Sequence, residues 1–425
     1  MDLKNKLILL IFFLLNNILL AQENSLKNRA LEEFKNEHYA QAIALLEQAE
    51  KNKLQDAEIY YYLAWFKHYK AYDSRPLKGY DFAYSEQIFT YLDKAIALNP
   101  DYGDAKYFYG AECSGNAFLA MQNYEPEKLD YFYNLANEKG AYPNWLKEFG
   151  RNILSTCEKN AILFAAGNAD FDVCTYLQLH ENFRKDVTLI PIGNIDRPWY
   201  VQFLKRGLQE KVKKIDLSLT DSQIMDLHPF KWETTEITIP VSQSYKKRFN
   251  LSADVFQWEV SPDLLSYRMH AKIEGEKAKQ RAYLSPQRAV LLQIIEDNFS
   301  KRPIFFSNFC SPTFYAGLRQ YFQNCGLISL LTPVSTENTD YQFDYAKIEN
   351  LLQAKNLSMF KTILREDIPR ISMVVISAYY IAFLNLLDNK KHEERNELKY
   401  LFQEFLQIGY DKEYENEIAK EIDKK

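Results

Sequence analysis

Three short polar stretches hold the residues whose types suit chemistry: Gly167-Asn168-Ala169-Asp170, Gly193-Asn194-Ile195-Asp196-Arg197 and Ser307-Asn308-Phe309-Cys310-Ser311. Each follows an apolar run and opens a predicted helix, where unpaired backbone N–H groups concentrate and favour a polar or anionic ligand. The carboxylates of Asp170 and Asp196 could form an acid/base pair, which on a glycan requires carboxyl groups roughly 5 to 9.5 Å apart. Capping competes with that reading. Asp170, Asp196 and Ser311 all stand where an N-cap is wanted, and Ser311-Pro312 has the cap-then-proline order of an ordinary helix start. Asn168, Asn194 and Asn308 exceed what caps require, so ligand binding by these six residues stands beside capping as an expectation.

The usual signatures of catalysis are missing. The chain contains no GxGxxG, Walker loop, GxSxG or HExxH, so nucleotide-phosphate, serine-hydrolase and zinc-protease chemistry lack their required geometry. No metal or cofactor is expected. His38, His68, His228 and His270 stand apart from partners at ligand spacing, and none of Cys113, Cys157, Cys174, Cys310 and Cys325 has CxxC spacing. Their apolar neighbours predict buried, inert thiols.

For the three loops to converge, the strands before them must be parallel. From residue 161 onward, helical periodicity gives way to short apolar runs bounded by Gly and Pro. Strands are predicted at 161–166, 187–190, 303–306 and 327–331, with helices at 171–182, 198–210 and 312–324. This alternation implies a three-layer α/β domain with a mainly parallel sheet, whose strand-end loops share the edge where open α/β folds bind ligands. Residues 217–281 read as an elaboration of that domain, with strands at 236–240 and about 267–273. Beyond it, periodic stretches at 345–355, 371–387 and 394–408 predict closing helices. The run 371–387 carries Ser372, Ser377 and Asn385 and reads as a buried helix rather than a membrane span. Residues 390–395 read as a solvated turn, and the charged segment 412–425 as a fraying end.

The first third is helical. Ala30, Phe34, Tyr39, Ala42, Ile43, Leu46 and Ala49 recur at helical spacing around a break at Asn36-Glu37-His38. Further units lie around Leu92 to Pro100 and Ala105 to Ala111, where small residues fall at close helix approaches. The pattern resembles tetratricopeptide repeats, irregular around 72–84 and 121–142, and such repeats present a concave groove to partner proteins. Tyr61, Tyr62 and Trp65 are candidate groove residues, with packing between helices as the plainer role.

Lys4 and Lys6, the apolar run 7–20 and Ala21-Gln22-Glu23 follow the order of a secretory signal. At 1.5 Å per residue the run covers about 21 Å, short of the roughly 30 Å hydrocarbon core. Cleavage after Ala21 and a periplasmic or otherwise extracytoplasmic location follow as expectations. The 425 residues hold 52 Lys+Arg against 57 Asp+Glu, net -5, with 47% hydrophobic residues. That composition folds, and it lacks the cationic excess of a nucleic-acid binder.

The segments Asn160-Ala-Ile-Leu-Phe-Ala-Ala-Gly-Asn-Ala-Asp170, Tyr176-Leu-Gln178, Asp186-Val187, Pro198-Trp-Tyr200, Arg302-Pro-Ile-Phe-Phe306, and Gly317-Leu318 to Gly326-Leu327 with Pro333 carry a resemblance. Together they are similar to the soluble C-terminal region of multispanning protein O-mannosyltransferase-like membrane proteins common in Bacteroidota. The likeness runs from about Trp145 to Pro333. Family members usually read Gly-Asp-Asn-Asp-Thr in the first loop, where this chain has Gly167-Asn168-Ala169-Asp170-Phe171. The family's glycosyl transfer resides in its membrane-embedded half, so the resemblance implies a relative of the accessory domain that binds glycan or acceptor polypeptide without transferring sugar. The expected organisation is a signal at 1–21, repeats at 22–158, an α/β domain at 159–335 and helices at 336–425. The expected function is an exported, non-catalytic binding or scaffolding protein for an envelope protein, glycan or glycoprotein. The alternative is a glycan- or glycoprotein-acting enzyme using Asp170 and Asp196.

Overall fold

The computed structural model describes residues 26–52, 56–73, 80–263, 282–337, 339–356, 358, 363 and 369–389. The predicted signal at 1–21, the strand at 267–273, His270, the helix at 394–408 and the segments 390–395 and 412–425 lie outside the described residues, as does part of the irregular stretch 72–84. Two compact units emerge. One takes in the described residues up to 116 together with 135–141, and the other takes in 117–134 and nearly all described residues from 142 onward.

The chain opens with helix α1 over residues 26–35, then α2 (Tyr39–Lys51), α3 (Ala57–Asp73), α4 (Ser85–Leu98), α5 (Gly103–Gln122), α6 (Pro126–Glu138) and α7 (Asn144–Thr156). The predicted break between α1 and α2 is present, with Glu37 in the left-handed region at φ 63°. In the first unit α3 packs on both α2 and α4. Ala42, Ile43, Leu46 and Ala49 of α2 meet Ile59, Leu63 and Phe66 of α3 in one buried cluster. Gly110 makes the predicted close approach, since a Cβ there would lie 2.6 Å from the Ala141 Cβ. Glu112, only 1% exposed, accepts from Ser85 Oγ at 2.5 Å and Tyr80 Oη at 2.9 Å, and pairs with His68 Nδ1 at 2.9 Å. His68 thus links α3 to α5.

The second unit is built on a mixed sheet. Its strands and helices are β1 (Ile162–Ala165), α8 (Val173–His180), β2 (Thr188–Pro191), α9 (Pro198–Arg206), α10 (Asp221–Met225), β3 (Phe230–Lys231), β4 (Thr235–Pro240), α11 (Gln243–Arg248), β5 (Val255–Val260), β6 (Tyr283–Leu284), α12 (Pro286–Asn298), β7 (Ile304–Ser307), β8 (Phe322–Asn324), β9 (Ile328–Leu331), α13 (Tyr345–Leu351) and α14 (Pro369–Asn389). The main sheet has the order β2-β1-β7-β9-β8 among the described residues. β1 runs parallel to both β2 and β7, in registers Ala165↔Pro191 and Phe164↔Phe306. Every residue of β1, β2, β7 and β9 is buried, as expected of strands covered on both faces. The step from β1 to β2 and the step from β2 to β7 move in opposite directions across the sheet, so right-handed crossovers put α8 and α12 on opposite faces.

Two predictions about this sheet are corrected. Residues 312–324 form no α-helix: two 3-10 turns, Pro312–Phe314 and Leu318–Tyr321, lead into β8. Ala316 at φ 46° and Gly317 at φ 84° break any helix there, and a Cβ on Gly317 would sit 2.2 Å from the Glu259 carbonyl oxygen. The strand at 327–331 is antiparallel to β7, because it is joined to β8 by a tight turn rather than a crossover. β4 and β5 form an antiparallel pair over residues predicted to elaborate the domain. The predicted helices at 345–355 and 371–387 are present as α13 and α14, and no described helix is long and apolar enough to cross a membrane.

A polar belt ties the starts of the strands to α7. Arg184 grips Asp186 at 2.8 and 3.0 Å and donates to the carbonyls of Leu154, Cys157 and Glu158. The Arg184 hydrogen bond is the main cause that holds the Asp186 carboxyl down at about 2, from an ordinary 3.8. A depressed carboxylate stabilises the fold above its ordinary pKa and loses that contribution as pH falls through the folded value. With the Asp186 side chain 32% exposed, screening limits the effect. Asp186→Asn is therefore predicted to cost about 1–2 kcal/mol at pH 7. Urea midpoints should show that gap closing between pH of about 4 and about 2.

Candidate functional site

Because β2, β1 and β7 are adjacent, parallel and in register, their three following loops leave one edge of the sheet, as the sequence predicts. Their side chains behave differently. Asp170 is 1% exposed, and its carboxylate accepts from the backbone N–H of Ala166 and Gly167 at 2.9 Å and of Phe171 at 2.8 Å. It folds the loop back onto the end of β1, where residues 168–172 make a π turn. The cap position of α8 falls on Asp172 instead, which is buried and accepts from the Tyr133 hydroxyl at 3.2 Å. Capping of α8 by Asp170 is thereby corrected.

Asp196 also misses its expected cap, since Arg197 occupies the position before Pro198 and lends no side-chain bond. Asp196 is exposed and has no side-chain hydrogen bond among the described residues. Lost hydration pushes its carboxyl up despite the opposing charge of Arg197. Asp170 and Asp196 are thus unlike in environment: one carboxylate is surrounded by three backbone donors, while the other lies at the surface.

The third loop is stitched to the antiparallel hairpin. Asn308 donates to the Gly326 carbonyl at 2.6 Å and accepts from Ser329 Oγ at 2.7 Å. Ser311 does cap, accepting from the Thr313 N–H at 3.4 Å. Cys310 is buried with Sγ 3.5 Å from the Phe164 carbonyl, and desolvation, reinforced by the nearby Asp170 charge, pushes its thiol up. All five cysteines are buried free thiols. Of the six predicted ligand residues, Asp170, Asn308 and Ser311 are bonded within the protein. Asn168, Asn194 and Asp196 keep side chains without hydrogen bonds among the described residues. No described group of three or more His, Cys, Asp or Glu converges as metal ligands would.

In the first unit Tyr61, Tyr62 and Trp65 are half-buried on α3. Tyr61 packs on Tyr102 at 5.2 Å and on Phe108 at 6.1 Å between ring centroids, and Trp65 packs on Phe34 at 5.5 Å. The rings therefore do pack between helices, and each keeps part of its surface in water.

One recess was not legible in the sequence. A cavity of about 240 Å³ lies against β2, bounded by α8, α9 and residues 209–213, and none of the six predicted residues lines it. Two of its three lysines, Lys211 and Lys213, sit in a short basic run after Gly207, a signal too common on surfaces to single out.

Asp170→Asn replaces an acceptor of three N–H groups by an amide that must turn its own donors toward them. The substitution is predicted to cost about 1–3 kcal/mol in denaturant unfolding, against within about 0.5 kcal/mol for Asp196→Asn. Equal effects would remove the structural assignment of Asp170.

Residues 146–260 match the family model for TMEM260-associated domain 2. No curated protein and no solved structure matches the chain. The matched stretch begins in α7, ends with the last residue of β5, and contains two of the three polar loops and nearly all of the cavity lining. Over these residues the chain is similar to TMEM260-associated domain 2, in keeping with its resemblance to the soluble region of O-mannosyltransferase-like proteins.

Proposed function

We propose that this protein is an exported, non-catalytic binding or scaffolding protein that engages an envelope protein, glycan or glycoprotein. The observation that carries this reading is the aromatic surface of the first unit. Phe34, Tyr39, Tyr61, Tyr62, Trp65 and Tyr102 are all half-buried, and Tyr69 is 43% exposed. Their contacts form a continuous chain, Tyr102–Tyr61–Trp65–Phe34–Tyr69. Rigid rings that keep one face in water supply large contact area at low entropic cost, the property that makes Tyr and Trp dominant at interfaces. Reading these helices as tetratricopeptide-like repeats fits such a role, because stacked helix pairs offer an extended surface to a partner.

In the second unit, the similarity to TMEM260-associated domain 2 supports an accessory domain rather than a transferase. The loop edge retains Asn168, Asn194 and Asp196 for polar contacts. The enzyme alternative needs Asp170 as acid or base, and the three N–H groups on its carboxylate weigh against it.

The test is affinity capture from envelope extract with the purified chain, comparing wild type, Tyr61→Ala/Trp65→Ala and Asn194→Ala/Asp196→Ala. The aromatic pair is predicted to weaken capture of a protein partner tenfold or more, while circular dichroism shows the helices intact. Undiminished capture by the aromatic variant would overturn the helical surface as the binding face. Hydrolysis or transfer on a glycan, abolished by the Asp196 variant, would overturn the non-catalytic reading.

A further inference from the structure

The cavity against β2 combines an apolar floor with a charged mouth. Phe171, Tyr200 and Phe203, each buried in the fold, form the floor, and Lys185, Lys211 and Lys213 stand among its lining residues. The three ammonium groups are not equivalent. Lys211 pairs with Asp130 at 3.0 Å. Lys185 reaches only the Asn182 side-chain oxygen, at 3.5 Å, and Lys213 bonds the Asn160 side-chain oxygen and meets the Asp186 charge only through space, so neither forms a contact ion pair among the described residues. Glu210 also lines the cavity, which leaves the mouth net positive.

A second observation lies next to it. Lys211 is shared with a neighbouring recess lined by His180 and Asp130. There His180 Nε2 is buried without a hydrogen bond among the described residues, its nearest charged group being the Asp130 carboxylate at 4.0 Å. A buried ring nitrogen with an unmet hydrogen bond marks that neighbouring recess as short of a ligand or water. The volume limits what fits, since about 240 Å³ falls just under the roughly 300–1,000 Å³ of pockets for drug-sized molecules.

We propose that this cavity is a binding site for a small anion built on a single ring, with a carboxylate or phosphate head held by Lys185 and Lys213 and the ring resting on Phe171, Tyr200 and Phe203. Charge-assisted bonds to unpaired ammonium groups supply the preference for an anion, and the aromatic floor supplies the preference for a ring over a bare ion. The site is independent of the partner surface on the helical unit.

The test is calorimetric titration of the full chain with glucuronate, glucose 6-phosphate and benzoate, which separate a sugar acid, a sugar phosphate and an aromatic acid. Methyl mannoside serves as a ring without charge, and inorganic phosphate as a head without a ring. At least one ring anion is predicted to bind tenfold or more tightly than both controls. Lys185→Gln/Lys213→Gln should lose that binding tenfold or more, and Lys185→Arg/Lys213→Arg should restore most of it, with thermal unfolding showing all forms folded. Should no ring anion bind at millimolar concentration, the site falls. Equal binding of methyl mannoside removes the anionic class, and equal binding of phosphate removes the ring. Binding unchanged in the glutamine variant places the ligand elsewhere. A glutamine variant that is unfolded leaves the decision to the wild-type comparison of ring anions with the two controls.

Discussion

The parallel core of the second unit depends on one buried guanidinium. Arg302, just before β7, donates to the Asn160 carbonyl at 2.8 Å, the Ala161 carbonyl at 3.0 Å and Thr188 Oγ1 at 2.7 Å. One side chain therefore joins the beginnings of β1, β2 and β7. The planar fork suits this, because its donors diverge in fixed directions toward three acceptors on neighbouring strands. Burial pulls the Arg302 pKa down, offset in part by the charges of Asp216 and Asp186. Strands fixed at their starts and equal in length end together, which is why the three polar loops share an edge.

The same end of the sheet carries ion pairs as well. Glu158 is held by Arg248 at 2.6 and 2.8 Å and by Lys347 at 3.1 Å. Arg184 and Asp186 close the turn before β2, and Asp186 accepts from the Asn160 N–H at 2.8 Å. Asn160 itself is left-handed, at φ 61°, a conformation that Asn tolerates better than most residues. Asn160, Asp186 and Arg302 all belong to the segments that carry the resemblance to O-mannosyltransferase-like proteins. Their bonds give those segments a structural explanation: they hold the strands in register, and the likeness they create speaks to fold before it speaks to chemistry.

How far the sequence could be read follows from what each element rests on. β1, β2 and β7 were legible because a strand buried on both faces needs a nearly continuous apolar run. Their loops were legible because Gly, Asn and Asp cluster there. Strand direction was not legible: Ile328–Leu331, apolar but for Ser329, looks like another buried strand, and the tight turn at Cys325–Gly326, with Gly326 at φ 101°, makes it antiparallel. Ser311-Pro312 carried a sound start signal for a helix that Ala316 and Gly317 then interrupt. The alternation of Phe256, Trp258 and Val260 in β5, buried in turn, is the period of two that a half-buried strand leaves in a sequence. Asp170 stood out in the sequence only as a polar residue after an apolar run; its partners are backbone N–H groups, which no residue pattern displays. His68 likewise finds Glu112 44 positions away.

The cavity was beyond sequence reasoning for a related cause. It joins Met121 of α5, Phe171 of the turn after β1 and Lys213 of the segment after α9, residues far apart in sequence. Its position follows from the topology. At the loop edge, Asp170 and Asn308 bind the chain to itself, and Cys310 lies buried beside β1, so much of the polar capacity there is already used. β2 is the outermost strand on its side, has four residues and ends in Pro191, which cannot donate to a further strand. With no strand beyond β2 among the described residues, its flank is covered by α9 and the turn after Gly207 rather than by a paired backbone. Side chains covering an edge leave gaps that a hydrogen-bonded strand would not. The flank of β2 is therefore where this sheet has room for a molecule other than itself.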